Sequence, residues 1–169
     1  KIAKHLDLPY PGGPALDKLA QEGDENAVAY PLVMLDEKSY DFSYSGLKTA
    51  VLYSTQKLKR KDSPSRADIA ASFQKAALSV LFKKAERACE EFQILDVGIA
   101  GGVSANSFLR KYVSSEKKIR YHFPPLSLCT DNAVMIAGLG HVMAERGLAE
   151  TSPLALMPAA RNSQAHLLV

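Results

Sequence analysis

The sequence has few cysteines, no long apolar run and little excess charge of either sign. Cys89 and Cys129 form no CxxC pair, so two cysteines in 169 residues do not make a disulfide scaffold, and a reducing cytoplasm is the expected location. The apolar runs are far shorter than the roughly 20 residues of a membrane helix, so no membrane association is expected. The four histidines form no HxxxH or HExxH pair, which excludes a zinc site built from this chain alone.

The composition is that of a globular domain, with 47% hydrophobic and 23% charged residues. The net charge of +3 permits nucleic-acid binding but does not argue for it. The sequence does not begin with methionine, and residues 1–8 already read as a helix with Ile2, Ala3 and Leu6 on one face and no residue to cap it. We therefore expect the chain to be a fragment.

The spacing of apolar residues predicts an alternation of helices and strands. Ser65 and Asp68 match a capping box ahead of the longest predicted helix. Helices are predicted over residues 1–8, from about 15 to 22, and over 45–58, 66–92, 104–113 and 132–146. Strands are predicted at 94–99 and 119–123, with strand-like patches at 27–35 and 40–44 and a loose tail at 148–169. This order describes an α/β layer whose remaining strands come from other polypeptide, since two parallel strands are not a stable sheet.

The strongest local motif is a buried strand that enters Gly101 and Gly102 and then a helix with Ser104 and Asn106 in its first turn. Two glycines let the backbone approach a ligand, and free N–H groups at a helix start suit phosphate or ribose. The Asn106 amide could contact a ribose or base. Glycines that only permit close packing, with Ser104 as an N-cap, explain the motif equally well.

A second motif places Cys129, Thr130 and Asp131 just past a strand end, where open α/β sheets bind ligands. Asp131 there can bind a metal ion as a hard oxygen ligand. Taken alone, an Asp or Thr N-cap of the following helix is the favoured explanation. Cys129 is expected to be a small buried residue and not a nucleophile.

Three further segments have both a binding and a structural explanation. In the Tyr10–Asp17 segment, Gly13 allows close backbone approach and Asp17 could accept hydrogen bonds from a hydroxyl pair; a plain turn with a surface acid is the alternative. Residues 41–49 place serines and a lysine at a helix start, where they could contact phosphate or simply cap the helix. The basic stretch at 57–61 could touch RNA, but a solvated linker is favoured.

Together these segments resemble the TsaD/Gcp family, once called glycoproteases, over nearly the whole chain. The matching motifs are YPGGP at residues 10–14, FSYSGLKT at 42–49, DIA at 68–70, GGVSAN at 101–106 and CTDN at 129–132. The resemblance implies an actin-like ATPase (ASKHA) fold in the α/β class. This chain would supply mainly the C-terminal ribonuclease-H-like lobe (63–147), a helical segment and insertion (1–62) and a tail (148–169).

The resemblance also implies an activity, its ligands and its partners. Family members transfer a threonylcarbamoyl group from threonylcarbamoyl-AMP to N6 of adenosine 37 in tRNAs that read codons beginning with A. They work with an inactive paralogue and a small ATPase. The implied adenylate-binding residues are Gly13, Asp17, Asn106 and the Gly101–Gly102 turn. Asp131 is the implied ligand of one divalent metal ion (iron, with zinc as an alternative), and no catalytic residue is implied beyond it.

The family's HxxxH motif and SGGHT-type loop are absent from this chain, and one carboxylate does not hold iron. We therefore expect the isolated chain to be inactive. A non-catalytic ASKHA paralogue acting as a dimerisation scaffold is the alternative function, and retention of Asp131 and Asn106 argues against it. A sugar or acetate kinase of the same fold would need acidic phosphate-loop residues upstream. A peptidase is the poorest match, because no nucleophile–base pair is present.

Overall fold

The computed structural model describes residues 1–35, 38–56, 63–116 and 118–148. Within these residues the protein is mostly helical, with one small parallel sheet. The helices are α1 (Ile2–His5), α2 (Gly12–Ala20), α3 (Ser45–Gln56), α4 (Arg66–Phe92), α5 (Ser107–Ser115) and α6 (Ala133–Glu145), and the strands are β1 (Asp96–Gly98) and β2 (Arg120–His122). The chain divides into two compact units, residues 1–130 and residues 131–169, and α6 is the described helix of the second unit.

Helix α4 is the longest element, and its bounds confirm the prediction of a helix over 66–92. Its start is fixed by the predicted capping box, in which the Ser65 hydroxyl accepts from the Asp68 N–H at 3.0 Å and the Asp68 carboxylate accepts from the Ser65 N–H at 2.9 Å. The helix ends where Gln93 adopts a left-handed conformation with φ of 54°. Twenty-seven residues extend for roughly 40 Å, so α4 can support two separate clusters of packed side chains.

The first half of α4 packs against α2 and α3, and both of these helices also contact α1. Helix α1 is shorter than predicted, yet the predicted apolar face is buried, with Leu6 fully enclosed. The buried residues of this cluster are Ile2, Ala3, Leu6, Leu16, Ala20, Leu47, Val51, Ile69, Ala70, Ala71 and Ala76. Because so many are alanines, the helices can approach closely. The loop after α2 lies against the start of α4, where the Asp24 N–H donates to Asp68 Oδ1 at 2.8 Å.

The second half of α4 packs against α5. Leu78, Phe82 and Leu109 form the buried centre of this cluster, and the ring of Phe82 stacks on Tyr112 with centroids 3.9 Å apart. The same ring meets Tyr121 of β2 edge to face at 6.4 Å. Helix α4 therefore holds the small sheet and the start of α5 in one compact unit.

The sheet contains the two predicted strands, paired in parallel with Val97 opposite Tyr121. The Asp96 carboxylate binds both Arg120 and His122, which lie on β2. The hydrogen bond from the Arg120 guanidinium, with a further one from His122, holds the pKa of Asp96 well below its usual range. This cross-strand cluster helps to align two short strands that share few backbone hydrogen bonds.

The strand-like patches predicted at 27–35 and 40–44 are wrong, since the described residues there form no strand. Side chains of α4 satisfy backbone groups of these segments in place of a neighbouring strand. The Ser72 hydroxyl accepts from the Val28 N–H at 3.1 Å, and the Lys84 ammonium donates to the carbonyls of Ser39 and Asp41 at 2.8 and 2.7 Å. Alternation of apolar residues cannot distinguish a strand from an extended segment whose backbone is hydrogen-bonded to side chains of a helix.

Two predicted segments, the basic stretch at 57–61 and the tail after residue 148, lie outside the described residues. Among the helices that the structure does describe, none combines the length and the apolar character needed to cross a membrane.

Candidate functional site

Asp17 and Asn106 are 89 residues apart in the sequence and meet in the structure. The Asn106 Nδ2 donates to Asp17 Oδ1 at 3.0 Å. Ser107 adds two more donors to the same carboxylate, its backbone N–H at 3.1 Å from Oδ2 and its hydroxyl at 2.8 Å from Oδ1. Two residues that the sequence analysis assigned to separate motifs therefore belong to one polar cluster at the start of α5.

The helix after the glycine turn begins later than predicted. Residues Gly102–Ala105 form a 3₁₀ turn, and α5 begins at Ser107. Its N-cap is Asn106, whose Oδ1 accepts from the Leu109 N–H at 2.9 Å, and not Ser104, whose hydroxyl donates to the Gly101 carbonyl. The backbone bends at Asn106 because this residue has an extended conformation between the two helical turns.

The glycines of the turn are not required by packing. A Cβ placed on Gly101 or Gly102 would meet no atom of the described residues within 4 Å. Gly101 is required for its conformation, because φ of 80° with ψ of 179° is a region that only glycine occupies readily. Gly102 has neither constraint, and the close-packing explanation of this turn therefore finds no support in the described residues.

The YPGGP loop leads into α2, and its two glycines have different surroundings. A Cβ on Gly12 would lie 2.6 Å from the Ala3 Cβ, whereas a Cβ on Gly13 would meet no described atom within 4 Å. Gly12 is therefore needed for the contact between α1 and α2. Gly13 is not constrained by packing in this way, and its predicted role in binding stays a prediction.

One cavity of the first unit borders a residue of the predicted site, Gly13, and another borders residues that contact Asp17 and Asn106. An open cavity of about 930 Å³ has Gly13 in its wall, and its charged lining residues are Lys1, Lys4 and Lys48. A smaller cavity of about 390 Å³ is lined by Ser107 and Gln74, among others. Both volumes fall in the range of about 300–1,000 Å³ that small-molecule sites occupy.

The FSYSGLKT segment is held against α4 and contributes to the larger cavity. The Tyr44 hydroxyl donates to the Ala77 carbonyl at 3.2 Å, and α3 begins at Ser45. Burial raises the pKa of Tyr44. Tyr44, Ser45 and Lys48 all line the cavity that Gly13 borders. The segment therefore contributes side chains to the site as well as beginning a helix.

Asp131 is the first residue of the second compact unit, where it precedes α6. The N-cap of α6 is Asn132, whose Oδ1 accepts from the Met135 N–H at 3.2 Å, so the proposed capping roles of Thr130 and Asp131 are wrong. Asp131 is exposed, and its carboxylate has no hydrogen-bond or ion-pair partner among the described residues.

The metal that the resemblance implies can be tested against the donor set. Among residues 1–35, 38–56, 63–116 and 118–148, no group of three or more His, Cys, Asp or Glu side chains could hold a metal ion. Asp131 alone provides one oxygen ligand, which is too few for an iron centre. The described residues thus do not fit a complete metal site.

Two residues near the site were missed by the sequence analysis. Gln74 on α4 accepts from Asn106 Nδ2 at 2.9 Å. Arg110 on α5 donates to the Ser104 carbonyl at 2.8 Å and approaches the buried Cys129 Sγ at 3.4 Å, which links the glycine turn to the CTDN motif. Gln74 lies four residues after Ala70 and four before Leu78, so a polar residue on the apolar face of α4 was the available signal in the sequence.

The comparisons with known proteins agree on a single family. Residues 1–138 match the family model described as "TsaD: tRNA N6-adenosine threonylcarbamoyltransferase". Proteins named tRNA N6-adenosine threonylcarbamoyltransferase from Thermosipho africanus, Borreliella afzelii and Bacillus licheniformis are each 48% identical, over 161, 146 and 153 residues. The alignments cover 94%, 85% and 88% of this chain and 48%, 42% and 45% of those relatives.

The chain thus spans about half the length of the curated relatives it matches. The matched residues include the polar cluster, the glycine turn and Asp131. Since the family model covers most of the chain, the chain belongs to the TsaD family of tRNA N6-adenosine threonylcarbamoyltransferases.

Proposed function

We propose that the protein to which this chain belongs transfers the threonylcarbamoyl group from threonylcarbamoyl-AMP to N6 of adenosine 37 in tRNAs that read codons beginning with A. The observation that carries the proposal is the cluster of Asp17 and Asn106, which the fold brings to 3.0 Å from positions 89 residues apart. Membership of the family supplies the reaction, and the printed names of the relatives support tRNA as the substrate.

In this proposal Asp17 binds the hydroxyl groups of the adenylate ribose. Its Oδ2 accepts from the Ser107 N–H alone among the described residues, so this oxygen keeps acceptor capacity for a hydroxyl donor. Asn106 and Ser107 hold the carboxylate in place through Oδ1. A carboxylate fixed before the ligand arrives loses less rotational freedom on binding, which favours affinity.

The glycines leave room for the rest of the adenylate. Gly13, Gly101 and Gly102 have open space where a Cβ would lie, so a ligand could approach the backbone closely there. The lysines around the larger cavity, Lys1, Lys4 and Lys48, make the potential there positive and favour an anionic ligand. These features support a nucleotide site on the first compact unit.

Asp131 is proposed as the one metal ligand that this chain contributes. The other ligands would come from polypeptide outside this chain, which spans about half the length of its relatives. The finer assignments go with this proposal: iron as the metal, an ASKHA fold for the whole protein, and an inactive paralogue and a small ATPase as partners.

The experiment is an assay of the full-length protein with threonylcarbamoyl-AMP, tRNA and Fe²⁺, with modified adenosine measured by mass spectrometry. We expect the wild-type protein to turn over. Asp17→Ala should reduce turnover mainly by raising KM for the adenylate, because the substitution removes the carboxylate that binds the ribose. The chain of residues 1–169 alone should give no turnover under the same conditions. An inactive full-length protein that also fails to bind the adenylate would overturn the proposal.

A further inference from the structure

Gln74 is a buried, uncharged polar residue of the first unit. It lies on α4 and is 5% exposed, between the side of α2 that bears Asp17 and the start of α5. Its Oε1 accepts a hydrogen bond from Asn106 Nδ2 at 2.9 Å. Burial of an amide costs free energy unless its groups form hydrogen bonds. The hydrogen bond of Gln74 to Asn106 is therefore what distinguishes it from an aliphatic side chain at this position.

The bonds of Asn106 show what Gln74 does. One amide proton of Asn106 points to Asp17 and the other to Gln74, while its Oδ1 accepts from the Leu109 N–H. Rotating the amide by half a turn would set Oδ1 against two acceptors, the Asp17 carboxylate and the Gln74 carbonyl oxygen. Gln74 therefore opposes the flipped amide and keeps the donor of Asn106 on Asp17.

The orientation of Asn106 in turn decides which oxygen of Asp17 keeps more acceptor capacity. Three donors approach Oδ1: Asn106 Nδ2, the Ser107 hydroxyl and, at 3.3 Å, the Ser107 N–H. Only the Ser107 N–H approaches Oδ2 among the described residues. If the Asn106 donor were lost, the carboxylate could rotate about its Cβ–Cγ bond and would no longer present Oδ2 in one position.

We infer that Gln74 is a positioning residue for nucleotide binding: it fixes the Asn106 amide so that Asp17 presents Oδ2 to the ribose hydroxyl pair of an adenylate. The inference rests on the proposed function, because it deepens the role given there to Asp17. Gln74 itself touches no ligand in this arrangement, and it acts through Asn106.

The test compares binding of AMP and of 2′,3′-dideoxy-AMP to the full-length protein by calorimetry. Gln74→Met keeps the length of the side chain and removes the acceptor. Loss of one buried hydrogen bond of ordinary strength should weaken AMP binding by about threefold to tenfold. Binding of 2′,3′-dideoxy-AMP should not change, because it lacks the hydroxyls that Asp17 accepts from. In turnover, KM for the adenylate should rise while kcat stays constant.

Ser72→Ala is the matched control for a merely structural effect. Ser72 is a buried polar residue on the same helix, and its hydroxyl bonds the Asp24 carbonyl and the Val28 N–H, away from Asn106. This variant should lose stability while keeping the affinity for AMP. Equal losses of AMP and dideoxy-AMP affinity in Gln74→Met, or equal losses of AMP affinity in the two variants, would overturn the inference.

A double-mutant cycle then tests whether Gln74 acts through Asn106. Asn106→Ser retains an N-cap oxygen and removes the amide donor. In that background Gln74→Met should have no further effect on AMP binding, and additive effects would contradict the mechanism. If the wild-type protein and Gln74→Met bind AMP equally well, this inference alone is refuted. Wild-type protein that does not bind AMP refutes the proposed function as well.

Discussion

Replacing Lys84 by methionine tests how the segment before α3 is held in place. Lys84 is 2% exposed, and its ammonium donates to the Ser39 and Asp41 carbonyls and lies 5.6 Å from the centre of the Phe42 ring. Methionine preserves the apolar stem but cannot donate a hydrogen bond. The substitution therefore removes the Lys84 hydrogen bonds to residues 39–42 with little change in packing volume, while the bond from Arg87 of α4 to the Ser39 carbonyl remains.

The size of the free-energy loss depends on which carbonyl groups lose their hydrogen-bond donor. The Ser39 carbonyl keeps a bond from Arg87 Nη2 at 2.8 Å, so the Asp41 carbonyl loses more. A hydrogen bond from a charged donor contributes about 1.5–3 kcal/mol, and the contact with the Phe42 ring adds about 0.5–1 kcal/mol. Methionine avoids the cost of burying an ammonium, and water can reach the exposed Asp41. The net loss should be about 1–3 kcal/mol.

The assay is hydrogen–deuterium exchange of peptides covering residues 38–44 in the full-length protein. A local loss of about 1–3 kcal/mol corresponds to exchange about 5- to 150-fold faster through local opening. Lys83→Met is the matched control, since Lys83 is exposed on the same helix. Equal exchange rates in the two variants would show that the Lys84 hydrogen bonds do not hold the segment.

Three further predictions concern single side chains. The hydrogen bond from the Asp24 N–H lowers the pKa of Asp68, so this carboxylate should stabilise the fold above the ordinary carboxyl pKa and cease to do so as the pH falls through its pKa in the folded protein. Asp68→Asn should therefore lower the free energy of unfolding in urea by about 1 kcal/mol at pH 7 and leave it unchanged in acid. A difference independent of pH would contradict this. Gly23→Ala should lower the thermal midpoint, because a Cβ there would lie 2.2 Å from backbone atoms of α4, whereas Gly13→Ala should leave the midpoint unchanged and weaken AMP binding; equal midpoints would refute the packing argument. Asp131→Asn should lower the iron content of the full-length protein, measured by plasma mass spectrometry, without changing its thermal midpoint, and an unchanged iron content would remove Asp131 from the metal site.

Much of the helical structure could be predicted because it depends on local signals. The Ser65–Asp68 capping box and the apolar spacing of α4 gave its bounds, since both act within a few residues. The strand patches failed because their partner is a helix far along the chain. Lys84 was missed although it follows the buried Val80 by four residues, which places it on the core face of α4. A lysine on the core face of a helix can be predicted to be buried only if the carbonyl groups that accept from its ammonium are known, and for Lys84 these lie more than 40 residues away in the sequence.

The site was predicted as separate motifs and not as a cluster. Family motifs pointed to Asp17 and Asn106, and the structure brings these two together. Their contact depends on how α2 and α5 pack on α4, which no local pattern specifies. The capping roles of Asn106 and Asn132 were missed because several neighbouring residues could cap each helix equally well. The roles of all six predicted site residues in binding stay predictions: Gly13, Asp17, Gly101, Gly102, Asn106 and Asp131.

The enclosure of both thiols has a practical consequence for spectroscopy. Cys89 and Cys129 are the two cysteines of this chain, and they are 8% and 2% exposed. Thiolate formation and access govern alkylation, so maleimide dyes should react slowly with either residue while the protein is folded. A cysteine introduced at Tyr10, which is 98% exposed, would then be the fast-reacting thiol of the chain. A fluorophore attached there would report ligand entry beside Gly13 without removal of the native cysteines.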